Sequence, residues 1–88
     1  MAHVVMYSID DCPFCDSAKA LLARKGVVYT EHDLSDLSDP ERQARLSKLC
    51  GRTTVPQIWI EERHIGGCTD LEALEVSGRL DGLLGGDA

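Results

Sequence analysis

Apolar positions along the chain change their spacing several times, and each change marks an element. Val4-Val5-Met6-Tyr7 is a continuous apolar run, the pattern of a central strand covered on both faces. From Pro13 to about Lys25 the spacing becomes helical, with Phe14, Ala18, Leu21 and Leu22 forming one apolar stripe. Pro13 fits the first helical position, where its missing N–H costs nothing, and Gly26 fits the helix end. Val27-Val28-Tyr29-Thr30-Glu31-His32 is rich in β-branched residues and predicts a second strand. A strand–helix–strand connection of this length predicts a right-handed parallel crossover between neighbouring strands.

Asp39-Pro40-Glu41 reads as a cap followed by proline in the first turn, opening a helix with Leu46 and Leu49 on its buried side and its end near Gly51. Gln57-Ile58-Trp59-Ile60 alternates like a strand, and His64-Ile65 returns as a short partner. The intervening Glu61-Glu62 is poor chemistry for a tight turn, which favours residues that readily adopt positive φ. Thr69-Asp70-Leu71-Glu72 reads as a capping box, opening a helix that turns Leu71 and Leu74 inward and stops at Gly78. Leu80, Leu83 and Leu84 predict one more apolar-faced turn before a fraying Gly85-Gly86 tail. The order strand, helix, strand, helix, strand, strand, helix is that of an α/β fold.

The chain has 88 residues, 43% hydrophobic and 27% charged, which predicts one domain spanning residues 1–88. A domain of this size buries only about 60% of its unfolded surface, so its core is thin. The net charge is −6 and the nine basic residues are scattered, which provides no footprint for a nucleic-acid backbone or an anionic membrane. No window approaches the roughly 18 apolar residues of a membrane span. The N-terminal residues lack a basic region and a sustained apolar stretch, so a cytoplasmic location is expected.

Four cysteines occur, at Cys12, Cys15, Cys50 and Cys68. The pair Cys12-Pro13-Phe14-Cys15 sits where the first helix begins, so both sulfurs are close and the unpaired N–H groups of that turn can hold a thiolate at Cys12. Cys12 is therefore the expected nucleophile, and Cys15, one turn inside, the resolving thiol. A structural disulfide or two inert thiols is the bland alternative. Zinc is not expected, because Cys50 and Cys68 are isolated from each other. Cys50 reads as a spectator thiol, and Cys68 as a small apolar residue in a glycine-rich loop.

Three separated motifs agree with one family: Cys12-Pro13-Phe14-Cys15, Thr53-Thr54-Val55-Pro56-Gln57 and Gly66-Gly67-Cys68-Thr69-Asp70-Leu71. Together they resemble the glutaredoxins, over about Val4 to Leu84. The resemblance implies a thioredoxin-like fold, a four-stranded mixed sheet flanked by helices with the third strand antiparallel to the first. It also implies a glutathione-dependent thiol–disulfide oxidoreductase. Its partners would be glutathione, as a co-substrate, and glutathionylated or disulfide-bonded proteins. No tightly bound cofactor is implied, and a monomer is expected.

By the same resemblance Val55-Pro56 is a cis peptide beside the cysteines, and the Val55 main chain docks the cysteinyl part of glutathione. Pro13, Phe14, Thr54 and Pro56 join that site. Gly67, Cys68 and Thr69 would hold the γ-glutamyl carboxylate at a helix N-terminus, and Asp70 its ammonium. Two departures stand out. Many relatives carry a lysine three residues before the first cysteine, where this chain has Ile9 followed by Asp10 and Asp11. Cys12 is then expected to be activated less strongly, and Gln43 or Arg52 would have to meet the glycine carboxylate. Phe14 replaces the common tyrosine and removes its hydroxyl. Two rival readings are a carrier of a glutathione-ligated [2Fe–2S] cluster and a redoxin served by thioredoxin reductase or another thiol.

Overall fold

Four strands form one mixed sheet in the order β2-β1-β3-β4. The strands are β1 (Val4–Ser8), β2 (Tyr29–Asp33), β3 (Gln57–Ile60) and β4 (Arg63–Gly66). The helices are α1 (Pro13–Arg24), α2 (Asp39–Cys50), α3 (Cys68–Val76) and α4 (Leu80–Leu83). The structure is a computed structural model and describes residues 2–85; Gly86, half of the tail expected to fray, lies outside the described residues. β1 runs parallel to β2, as the connection through the first helix predicts, and antiparallel to β3, as the resemblance implies; β3 pairs antiparallel with β4.

Strand pleating separates the two faces. Val4 and Met6 of β1 stand opposite Ile60 and Ile58 of β3, and all four are buried against Ala18, Leu21 and Leu22 of α1 and Leu71 of α3. Leu80 and Leu84 close this core from the C-terminal end. The other face is less covered. Val5, Tyr7 and Trp59 are half-buried there, and Leu49 of α2 joins them with His3 and Glu61 around a cleft of about 270 Å³. An aromatic row crosses this face. His32 stacks on Tyr7 at 4.7 Å, Tyr7 meets Trp59 edge-on at 5.4 Å, and Trp59 lies 4.8 Å from His64.

Several local expectations are corrected. β2 begins at Tyr29 because Gly26, at φ +69°, turns the chain so that Val27 fills the core from the loop while Val28 is 85% exposed. Phe14 leaves the α1 stripe and is 65% exposed. The cap of α2 is Ser38, one residue before Asp39: its hydroxyl accepts the Glu41 N–H, and the Glu41 carboxylate accepts the Ser38 N–H. Leu46 is completely buried but Leu49 is 45% exposed. The N-cap of α3 is Gly67, two residues before Thr69. Glu61 takes φ +56° in the two-residue β3–β4 connection, and its N–H donates to the His3 carbonyl at 2.8 Å. That bond extends the main-chain pairing of β1 with β3 into the turn.

Candidate active site

β1 delivers the chain to the start of α1, where Cys12 is the N-cap in extended conformation and Pro13 the first helical residue. The Cys12 sulfur accepts a hydrogen bond from the Cys15 N–H at 3.1 Å, the bond a serine or aspartate cap would accept at the same place. In the reduced protein the same N–H and the helix dipole favour a thiolate over a thiol. Cys12 and Cys15 are joined as a disulfide, with Cα atoms 5.2 Å apart. Cys15 is fully buried and Cys12 retains 8% exposure, so of the two residues only Cys12 meets solvent.

Beside the dithiol lies a cleft of about 300 Å³ lined by Phe14, Arg52, Thr54, Val55, Pro56, Gly67, Cys68, Thr69 and Asp70. The Val55-Pro56 peptide is cis. β3 begins only at Gln57, so the Val55 main chain takes no part in the sheet ladder. Opposite it, α3 points its N-terminus into the cleft. Gly67 at the N-cap has no side-chain oxygen to offer, so the first N–H groups of α3 stay open to an anion. A side chain at Gly67 would also bring its Cβ within 3.3 Å of the Pro56 carbonyl oxygen.

Asp70 sits in the first turn of α3 and turns back on it. Its Oδ2 accepts the Gly67 N–H at 2.9 Å and an N–H of the Arg52 guanidinium at 2.9 Å. Those two donors, the main-chain one first, hold the Asp70 carboxyl below the usual carboxylate range. Gly66, at φ +120°, makes room for this pair: a Cβ there would fall 2.3 Å from Asp70 Oδ2 and 3.0 Å from the Arg52 guanidinium. Cys68 opens α3 in a different setting. Burial, and then the Glu72 carboxylate, pushes its thiol up and away from thiolate chemistry.

The cleft therefore gathers Phe14, Thr54, Val55, Pro56, Gly67, Cys68, Thr69 and Asp70 as expected, while Pro13 is exposed at the first turn of α1 and does not line it. Gln43 is exposed on α2 and is not among the lining residues, whereas Arg52 is. Two residues connected to the cleft escaped the sequence reading. Gln57, completely buried, donates from Nε2 to the Thr54 carbonyl at 3.0 Å and the Thr54 hydroxyl at 3.3 Å. Its Oε1 lies 2.7 Å from His64 Nε2. The available signal was a lone polar residue opening an otherwise apolar strand, directly after Pro56.

The glutaredoxin family model matches residues 4–65. The chain is 52% identical to a glutaredoxin of Pseudomonas aeruginosa over 84 residues, which cover 96% of this chain and 98% of that protein. Among solved structures, the glutaredoxin of Brucella melitensis is 48% identical with a TM-score of 0.81, covering all of this chain and 94% of its own. A buckwheat glutaredoxin–glutathione complex superposes with a TM-score of 0.85 at 32% identity, covering 96% of this chain and 77% of that one.

Proposed function

The chain belongs to the glutaredoxin family, thiol–disulfide oxidoreductases on a thioredoxin-like fold, and from that premise we propose that it reduces protein–glutathione mixed disulfides and protein disulfides at the expense of glutathione. The observation that carries this reading is the sulfur at the N-cap of α1, beside a cleft with an extended-peptide edge at Val55 and an open helix N-terminus at Gly67. Glutathione is an extended tripeptide with a carboxylate and an ammonium at its γ-glutamyl end, and each feature has a counterpart in the cleft. Val55 offers main-chain groups to the cysteinyl unit. The N–H groups of Cys68 and Thr69 suit the carboxylate. Asp70 suits the ammonium: both of its hydrogen bonds fall on Oδ2, and Oδ1 has none among the described residues. Arg52 is the cation of the cleft and suits the glycine carboxylate. The buckwheat relative, solved in complex with glutathione, supports the assignment.

In the proposed reaction the Cys12 thiolate attacks the glutathionyl sulfur of a mixed disulfide and displaces the protein thiolate. A second glutathione thiolate then attacks the same glutathionyl sulfur, releasing oxidised glutathione and regenerating Cys12. With a protein disulfide, Cys12 forms a mixed disulfide with one substrate sulfur. Cys15 then attacks Cys12, releasing the reduced substrate and leaving the intramolecular bond for two glutathiones to reduce. The enzyme is proposed to act as a cytoplasmic, single-domain monomer.

The test couples turnover of a glutathionylated peptide, and of a protein disulfide, to glutathione and glutathione reductase. Cys15→Ser should keep the first activity and lose the second, whereas Cys12→Ser should lose both. Activity surviving in Cys12→Ser would overturn the roles. Turnover sustained by thioredoxin reductase and not by glutathione would overturn the donor.

A further inference from the structure

Gln57 and His64 form a connection between the half-covered face of the sheet and the cleft edge. The direction of its hydrogen bonds can be deduced. The Thr54 carbonyl can only accept, so the Gln57 amide must turn its Nε2 toward Thr54 and its Oε1 toward His64. An amide oxygen can also only accept, so His64 Nε2 must carry the proton on that bond. The imidazole is held in that orientation on a second side by the Trp59 ring, 4.8 Å away. Thr54, whose carbonyl and hydroxyl both receive Gln57 Nε2, immediately precedes Val55.

We propose that His64 is a positioning residue: through the buried Gln57 amide it holds the Thr54-Val55-Pro56 segment where the Val55 main chain can pair with an extended substrate. Without the His64 donor, a fully buried amide oxygen has no partner, and the amide is free to turn away from Thr54. The consequence is felt one residue from the main-chain groups that meet the substrate. His64 touches neither sulfur, so it acts on docking and leaves thiol chemistry alone.

The proposal rests on the glutathione reading of the cleft, and the experiment separates the two. His64→Leu removes the donor, and His64→Gln supplies an amide N–H in its place. Each is compared with wild type for the backbone amide resonances of Thr54 and Val55, for KM and kcat with a glutathionylated peptide, and for the alkylation rate of reduced Cys12. In His64→Leu the Val55 resonance should move and KM should rise about fivefold, the cost of one buried hydrogen bond, with kcat and alkylation rate unchanged. His64→Gln should restore both. An undisturbed Val55 resonance in His64→Leu, or a kcat loss that His64→Gln does not repair, would overturn the positioning role. A displaced Val55 in a protein whose wild type never turns over the peptide would support the connection and overturn the glutathione reading.

Discussion

Cys12 and Cys68 both stand at the start of a helix, yet their surroundings drive them to opposite chemistry. Cys12 receives an N–H on its sulfur, while burial and Glu72 oppose ionisation of Cys68. In the reduced protein at neutral pH, iodoacetamide should therefore modify Cys12 at least about tenfold faster than Cys68, as peptide mass mapping would read. The reverse order would contradict the assignment. Ile9→Lys, restoring a cation near Cys12, should quicken that alkylation further. Asp70 and His64 predict the response to acid. The folded protein holds Asp70 below its ordinary value of 3.8, so its pairing with Gly67 and Arg52 stabilises the fold above that range and is lost as pH falls through the lower folded value. His64 is also lowered from 6.5, by burial and then by Arg52 with Asp70 opposing, so protonation favours the unfolded chain as pH drops below that value. Urea titrations from neutral to strongly acidic pH should show a shallower acid loss for Asp70→Asn in the carboxylate range.

At the scale of elements, the caps are the places where single residues set helix ends. Ser38→Ala removes one half of the α2 capping box and should cost about 1 kcal/mol in denaturant unfolding, with turnover of a glutathionylated peptide unchanged. Elements were legible in the sequence where local chemistry alone determines them. Pro13 and Gly26 bracket α1, and the alternation of Gln57 to Ile60 marks β3, because neither signal depends on distant residues. The cap of α3 is hidden from the sequence because Thr69 and Glu72 imitate a capping box, whereas the chain uses Gly67 and Asp70 at the same spacing two residues earlier. Phe14 fits a helical stripe by periodicity but lines the cleft, since spacing cannot distinguish an apolar side chain packed in the core from one exposed at a cleft. Most of the cleft was readable through the three motifs. The Arg52–Asp70 pair and the Gln57–His64 contact were not, because each joins residues brought together only by the turn of β3 into β4.

In the whole molecule α3 connects core and cleft: Leu71 is fully buried against the sheet, while the first turn of the same helix presents its N–H groups to the cleft. Leu71→Ala should destabilise the fold by about 3 kcal/mol and lower the melting temperature by roughly 15 °C, measured calorimetrically. The half-covered face has a different bearing on experiment. Trp59 is the single indole of the chain, and its ring lies 4.8 Å from an imidazole that is itself bonded toward the cleft edge. Imidazolium quenches indole emission. The intrinsic fluorescence should therefore dim in acid with a midpoint below 6.5, and His64→Leu should abolish that titration. With no dye attached, the molecule carries an optical gauge of the contact that reaches its cleft edge.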